Sequence, residues 1–225
     1  MRTGPRRSER NRRSSCDTPL DTAARDAELL QQLEKSFGRS ADQAGDHLVC
    51  APGCSDCCHG PFPVTPLDVS RLRRGLAALA RRDAERARAL GRRARAAVAV
   101  LTPGFPGEPR RGSLDANVQA LDRFFERHAT LACPALDAAG RCELYEHRPV
   151  SCREYGPPLR YGDERAAPCP LCFTKASPQE IERCRYTPDP DGLEEAILAR
   201  LVEAADGEPG GDWQTLIAFA LANPG

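Results

Sequence analysis

The chain has 225 residues, 28% of them charged and 5% aromatic, with a formal net charge of zero. That length suits one domain or two small ones, and the balanced charge gives no global attraction to nucleic acid or an anionic membrane. Lysine occurs only at Lys35 and Lys175, so arginine carries nearly all the positive charge; the eleven cysteines are too many for chance core filling.

Charge is uneven along the chain. Residues 1–15 carry six arginines against Glu9, a local net of +5, and from Ser177 onward ten carboxylates face three arginines, a local net of −7. The head has no apolar run of the roughly 7–15 residues that a secretory signal needs. No window approaches the ~18 apolar residues of a membrane helix. The chain therefore reads as cytoplasmic, with no membrane contact. Disulfides are disfavoured in a reducing compartment, and an odd cysteine count leaves one unpaired in any scheme.

Residues 1–17 read as a disordered basic tail. Residues 21–37 place Leu29, Leu30, Leu33 and Phe37 at helical spacing and predict an amphipathic helix. After the first cysteines, three prolines in GPFPVTPLDV allow only an extended edge segment. Thr65-Pro66-Leu67-Asp68 is a helix start, with a capping hydroxyl, a proline at the first position and a returning carboxylate. The stripe from Leu72 to Leu101 predicts two helices, or one bent at Asp83, across 66–101. Its ten arginines read as a solvated face, with a phosphate-binding face as the sharper alternative. A Pro/Gly loop at 102–112 precedes a third amphipathic helix at 113–129. Residues 130–136 and 141–145 flank Asp137-Ala138-Ala139-Gly140 as a small β-hairpin. Pro149 starts a helical turn carrying Cys152, Ser177-Pro178-Gln179-Glu180 opens a helix that holds Cys184, and two more helices fit 191–205 and 212–222.

Ten cysteines fall into three groups once Cys16 in the tail is set aside: Cys50, Cys54, Cys57 and Cys58; Cys133, Cys142 and Cys152; Cys169, Cys172 and Cys184. Two residues between cysteines let a tight turn aim both sulfurs at one ion. Cys54/Cys57 and Cys169/Cys172 have that spacing, and the hairpin carries Cys133 and Cys142 on opposite arms. Free core cysteines and redox pairs are the competing readings. Cys169-Pro170-Leu171-Cys172 lacks the strand-to-helix setting of a thioredoxin-type pair. Adjacent side chains in extended backbone point to opposite faces, so Cys57 and Cys58 can serve one ion only in a kinked loop and more naturally serve two nearby ions or a multinuclear cluster. Arg141, Arg148 and Arg153 can offset the thiolate charge or pair with carboxylates. Zinc and iron–sulfur clusters both accept all-thiolate sites. His59 follows the pair and reads as a solvated group more readily than a ligand, and His147 reads as surface-facing.

The order CxxxCxxCC, then Cys133-Pro134, then GRCELYEHRPVSCREYG resembles the YkgJ-like cysteine-cluster proteins, the CxxCxxCC zinc- or iron-chelating family, over about residues 48–173. The three residues Ala51-Pro52-Gly53, where the family has two, are a departure that a Pro-Gly turn can absorb. The resemblance implies a metal- or iron–sulfur-binding protein of undefined biochemical role. Flagellin lysine methylases look similar in the cluster region, but no glycine-rich cofactor loop follows a strand here, and no Walker, HExxH or GxSxG motif occurs.

The expectation is a mainly α, single-domain protein with a small β-hairpin, pinned by cysteine-held metal: tail 1–17, cysteine-cluster domain 18–206, and a linker with a short helix at 207–225. Cys50, Cys54, Cys57, Cys58, Cys133, Cys142 and Cys152 are the principal ligands. Cys169 and Cys172 form a subsidiary pair, and Cys184 reads as a helix core residue. The partner is a metal ion or cluster, with a protein partner second and nucleic acid disfavoured. The function alternatives are a protein-modifying enzyme and a zinc-stabilised interaction module.

Overall fold

The computed structural model describes residues 19–51, 53–115, 117–204 and 213–222. The basic tail and Cys16 lie outside the described residues. Helix α1 (Pro19–Ala44) is longer than its apolar pattern predicts. The buried stripe Leu29, Leu33, Ser36, Ser40, Ala44 continues at helical steps, but serines carry its second half. Ser40 stays buried because its hydroxyl donates to the Cys184 carbonyl at 2.7 Å.

Strand β1 (Pro63–Val64) leads into α2 (Pro66–Arg82), whose capping box forms between Thr65 and Asp68 as the sequence predicts. Asp83 breaks the helix and its side chain caps α3 (Ala84–Leu101), so the 66–101 stripe is two helices. Strands β2 (Gly107–Glu108) and β3 (Ser113–Leu114) pair antiparallel, which shortens the third amphipathic helix to α4 (Val118–Arg127). A Cβ at Gly107, which has φ +147°, would lie 2.2 Å from the Ser113 carbonyl oxygen, so only glycine permits that pairing. Next come α5 (Val150–Glu154), the hairpin β4 (Leu159–Tyr161) and β5 (Glu164–Ala166), then α6 (Pro178–Arg183) and α7 (Leu193–Ala204). The last elements are β6 (Thr215–Leu216), antiparallel to β1, and α8 (Ile217–Ala222).

The main core joins α2, α3 and α8 through Val64, Leu72, Leu79, Leu90, Ala94 and Leu221. Alanines at 94, 97, 218 and 220 let α8 lie close against α3. A second cluster sets Phe105, Phe124 and Phe219 together, and a third packs α1 on α7 through Leu29, Leu33 and Ile197. The short helix expected at the C-terminal end is α8, and it is buried in this core.

Three expectations change. The hairpin at 130–145 is reduced to the bridge of Leu136 with Cys142, held by Glu143 N donating to the Ala135 carbonyl at 2.8 Å and Asp137 N to the Arg141 carbonyl at 2.9 Å, and the Ala135 amide, which would extend it, donates to Cys133 sulfur instead. A hairpin instead forms at 159–166 around Gly162-Asp163, with Gly162 at φ +59°. Not all ten arginines of 66–101 face outward. Arg71 is 1% exposed, with Nε donating to Asp26 at 2.8 Å and Nη1 to Asp68 at 2.7 Å. Asp68 Oδ1 also accepts the Val150 amide at 3.0 Å, so one carboxylate ties α2 to the start of α5.

Candidate metal centre

The chain folds its cysteine loops into two neighbourhoods, and the first cysteine cluster is divided between them. Asp56–Cys58 is a 3-10 turn, not extended backbone. Adjacent side chains of a 3-10 turn are about 120° apart, not opposed, and the Cys58 thiol hydrogen-bonds to Cys57 sulfur. The backbone here is the kinked alternative, not the extended one that sends the two thiols to opposite faces. Directly after it, Cys133 N donates to the Cys58 carbonyl at 2.8 Å, His59 bridges Ala132, and Gly60 N donates to Leu131 at 2.9 Å. This short zipper brings residues 131–133 against the adjacent pair. Around Cys58 stand the thiols of Cys57, Cys133 and Cys152, and around Cys152 stand Cys133, Cys142 and Cys57.

Local backbone geometry favours sulfur as an acceptor. The Ala135 amide donates to Cys133 sulfur and the Leu144 amide to Cys142 sulfur, each two residues after its cysteine. Such amides stabilise a thiolate, and they are unavailable for a regular hairpin ladder. Burial pushes the Cys133 thiol up to about 12 and raises Cys142 and Cys152 as well. Cys57 moves the other way, down to about 7, chiefly through the hydrogen bond from Cys58.

The second neighbourhood contains Cys50, Cys54, Cys169 and Cys172. Cys50 sulfur is 3.7 Å from Cys172 sulfur. Cys169 and Cys54 are further thiols acting on Cys50, whose own thiol burial pushes up to about 12. The extra residue of the first cluster is absorbed by a turn: Cys54 N donates to Ala51 at 2.9 Å, with Gly53 at φ +97°. Cys169 and Cys172 are buried, with Phe173 and Cys184, against Ala44 at the end of α1. Cys184 caps α6 in that cluster and behaves as the core residue its sequence position suggests. Tyr155, 42% exposed, lies within the influence of Cys169, Cys57 and Cys50, between the two groups.

The candidate counter-charges are sorted by the fold. Arg148 stacks on the Tyr145 ring at 3.8 Å and acts on Cys57 and Cys142. Arg141 pairs with Asp137. Arg153 is buried, donating to the carbonyls of Glu146 at 2.6 Å and Arg148 at 3.2 Å. A cation that the sequence reading passed over, Arg93 of α3, donates to the Pro134 carbonyl at 3.0 Å, pairs with Glu143 and acts on Cys133. Its signal was its place on the face of α3 opposite Cys-Pro, which helical spacing alone does not reveal. His59 is exposed, its ring bonded to the Ser55 carbonyl at 3.0 Å. His147 is not surface-facing: it is half-buried, and a Cβ on Gly75 would lie 2.7 Å from it.

Among the described residues, no group of three or more cysteine, histidine or carboxylate side chains stands arranged to hold a metal ion as it is. The fit therefore rests on donor chemistry: nine thiols, four of them receiving backbone amides. A mainly helical body whose loops concentrate thiols in this way defines a class of metal-chelating proteins. The chain belongs to one such family, described as "CxxCxxCC: Putative zinc- or iron-chelating domain", matched over residues 49–172. No curated protein and no solved structure matches the chain. No helix of the described residues is long and apolar enough to cross a membrane.

Proposed function

We propose that this protein holds a zinc or iron–sulfur centre through thiolates of Cys57, Cys58, Cys133, Cys142 and Cys152, as a structural or redox module of the cytoplasm. One observation carries the reading: five thiols from three separate chain segments lie within electrostatic range of one another, and backbone amides donate to the sulfurs of Cys133 and Cys142. Raised thiols are neutral before binding, so metal capture releases protons and weakens as pH falls. Arg148 and Arg93 offset the negative charge that the thiolates then carry.

The test is anaerobic purification of the full chain with elemental analysis and absorbance spectroscopy. An absorbance band near about 400 nm with stoichiometric iron supports the cluster. Colourless protein with stoichiometric zinc supports the structural site. Protein that retains neither metal, and takes up neither when supplied, defeats the reading.

A second reading, a protein-modifying enzyme related to flagellin lysine methylases, gains from one feature. A cleft of about 520 Å³, lined by Ser55, His59, Arg93, Cys133 and Pro134 among others, opens beside the candidate centre. Calorimetric titration with S-adenosylmethionine tests it, and no heat of binding to metal-loaded protein eliminates the methylase version.

A further inference from the structure

We infer that the cleft of about 520 Å³ beside the candidate centre docks an extended, acidic peptide segment of a partner protein, which adds a strand to the free edge of residues 131–133. The docking site is independent of the metal's identity. It consists of a backbone edge, one wall of α3 and a charge at one end of the cleft.

The backbone fixes the kind of ligand. Residues 58–60 and 131–133 form an antiparallel zipper around the His59–Ala132 bridge, with Cys133 N donating to the Cys58 carbonyl at 2.8 Å and Gly60 N to the Leu131 carbonyl at 2.9 Å. Those two bonds flank the bridge, so His59 and Ala132 face each other without a bond between them. In such a pair each residue turns its own N–H and C=O away from the partner strand. Ala132 is exposed and lines the cleft, and its N–H and C=O join no hydrogen bond among the described residues. A strand edge with an open donor and an open acceptor is a template for another chain. Its neighbours narrow that edge to one residue. Leu131 N is spent on the His128 carbonyl at 2.9 Å, Pro134 has no N–H, and the Pro134 carbonyl accepts Arg93 Nε at 3.0 Å. An incoming chain therefore exchanges its pair of backbone bonds at Ala132, and side-chain contacts supply the rest.

The opposite wall is a helix face open to solvent. Arg93, Ala96, Ala97 and Val100 recur at helical steps along α3 and line the cleft. Ala96 is exposed, and Val100 is 50% exposed. The alanines keep this wall low, so side chains of an extended segment can lie on it, and Val100 offers apolar surface for them to cover. Charge then selects the segment. At the Arg93 end three arginines, Arg86, Arg93 and Arg141, share two carboxylates, Asp137 and Glu143. One positive charge is left over, and it favours a carboxylate on the docked segment. The volume lies within the roughly 300–1,000 Å³ of ligand clefts.

The test pans a random peptide library on the full chain as purified, then measures the enriched peptides by fluorescence anisotropy, with metal content and circular dichroism recorded for every preparation. Enriched peptides are expected to carry aspartate or glutamate beside valine, isoleucine or alanine. Val100→Glu puts a like charge on the wall and should weaken their binding more than about tenfold, with metal content unchanged. Arg86→Ala removes the surplus charge and should flatten the salt dependence of binding. N-methylation of the peptide backbone should abolish binding at one central position, the residue facing Ala132, and the Ala132 amide signal should move on peptide saturation in NMR spectra. Peptides that bind Val100→Glu as tightly as wild type, basic peptides enriched over acidic ones, or binding indifferent to N-methylation at every position overturns the docking site. Protein that binds such peptides but no metal keeps the docking site and fails the proposed function. Metal-loaded protein that enriches no peptide over the Val100→Glu control fails the docking site alone.

Discussion

Around α2, α3 and α8 the chain buries Leu72, Leu79, Leu90, Leu101 and Leu221 to 2% exposure or less. Across residues 128–176 the buried apolar side chains larger than proline are Leu144, Val150, Leu159 and Phe173, and α5 is the one α-helix among turns and short strands. Apolar burial, at roughly 25 cal/mol per Å², is concentrated in the helical region. The cysteine-rich region has fewer such side chains, and what its backbone concentrates instead is sulfur and amides aimed at sulfur. The contrast teaches where a bound metal would act: as a replacement core for one part of one molecule.

The largest expected effect follows from that. Structural zinc contributes on the order of 10 kcal/mol of apparent binding free energy near neutral pH. Stripping metal with a chelator should therefore erase hydrogen-exchange protection at 54–60 and 131–144, where the zipper and the amide–sulfur contacts lie, while α2, α3 and α8 stay protected. Uniform loss over both regions breaks the comparison, because the helical body would then depend on metal as well.

The helical region has its own vulnerable point in Arg71. Both carboxylate partners, Asp26 and Asp68, are buried with it at 3% exposure or less. Arg71→Met leaves buried Asp68 without its cation while Asp26 keeps Arg74 at 2.5 Å, and breaking a buried pair costs about 3–5 kcal/mol. The thermal midpoint should fall steeply, with the same loss in metal-loaded and chelated protein. Asp68 is the point where the regions communicate, since it also fixes the Val150 amide two residues before Cys152. A shift seen only in the loaded protein would show that the pair serves the metal site, not the helices.

The pH dependence is next in size. Burial, with help from Asp68, Glu154 and Asp189 and against the opposing Arg71, raises the Glu194 carboxyl to about 7 from its usual value near 4.5. The folded protein then holds a proton that the unfolded chain releases. This contribution is fully present below about 4.5 and lost as pH rises through about 7, at roughly 1–3 kcal/mol after discounting for partial exposure. Urea midpoints between pH 5 and 8 should fall with pH, and Glu194→Gln should flatten the slope. Thiol ligation runs in the opposite direction, since it strengthens as pH rises, so the difference between wild type and variant isolates the helical term.

How far this was legible in sequence differs between the regions for the same physical reason. Thr65, Asp83 and Ser177 announce helix starts through local hydrogen bonds, and Leu72 to Leu101 announce a face through spacing; both signals survive in the fold. Ser36 and Ser40 hid the second half of α1, because serine carries no apolar signal and Ser40 is buried against a distant acceptor, the Cys184 carbonyl, that no local pattern shows. The cysteines were visible as candidate ligands, but their grouping was not. Which sulfur meets which depends on the contact of 58–60 with 131–133, on Gly156 beneath Cys50, and on Phe173 against His47, all of them long-range. Cys57-Cys58 misled for a local reason: the alternation rule holds for extended backbone, and a 3-10 turn cancels it.

The smallest effect tests whether the regions are coupled at all. Thr65 Oγ1 accepts the Asp68 amide at 3.3 Å, and the Thr65 amide returns a bond to Asp68 Oδ2 at 3.3 Å. Thr65→Ala removes the cap hydroxyl at a cost of about 1 kcal/mol to α2. Because Asp68 Oδ1 keeps Arg71 and the Val150 amide, α5 and Cys152 should stay in place. The urea midpoint should therefore drop by that small amount while metal affinity, read by chelator competition, changes by less than about twofold, a shift near 0.4 kcal/mol. Ser177→Ala makes the matching change at α6, beside the cysteines but six residues long and with no buried side chain. It should cost less than Thr65→Ala. If Thr65→Ala instead weakens metal binding tenfold, the capping box of α2 is positioning Cys152 through Asp68, and the two regions are one cooperative unit.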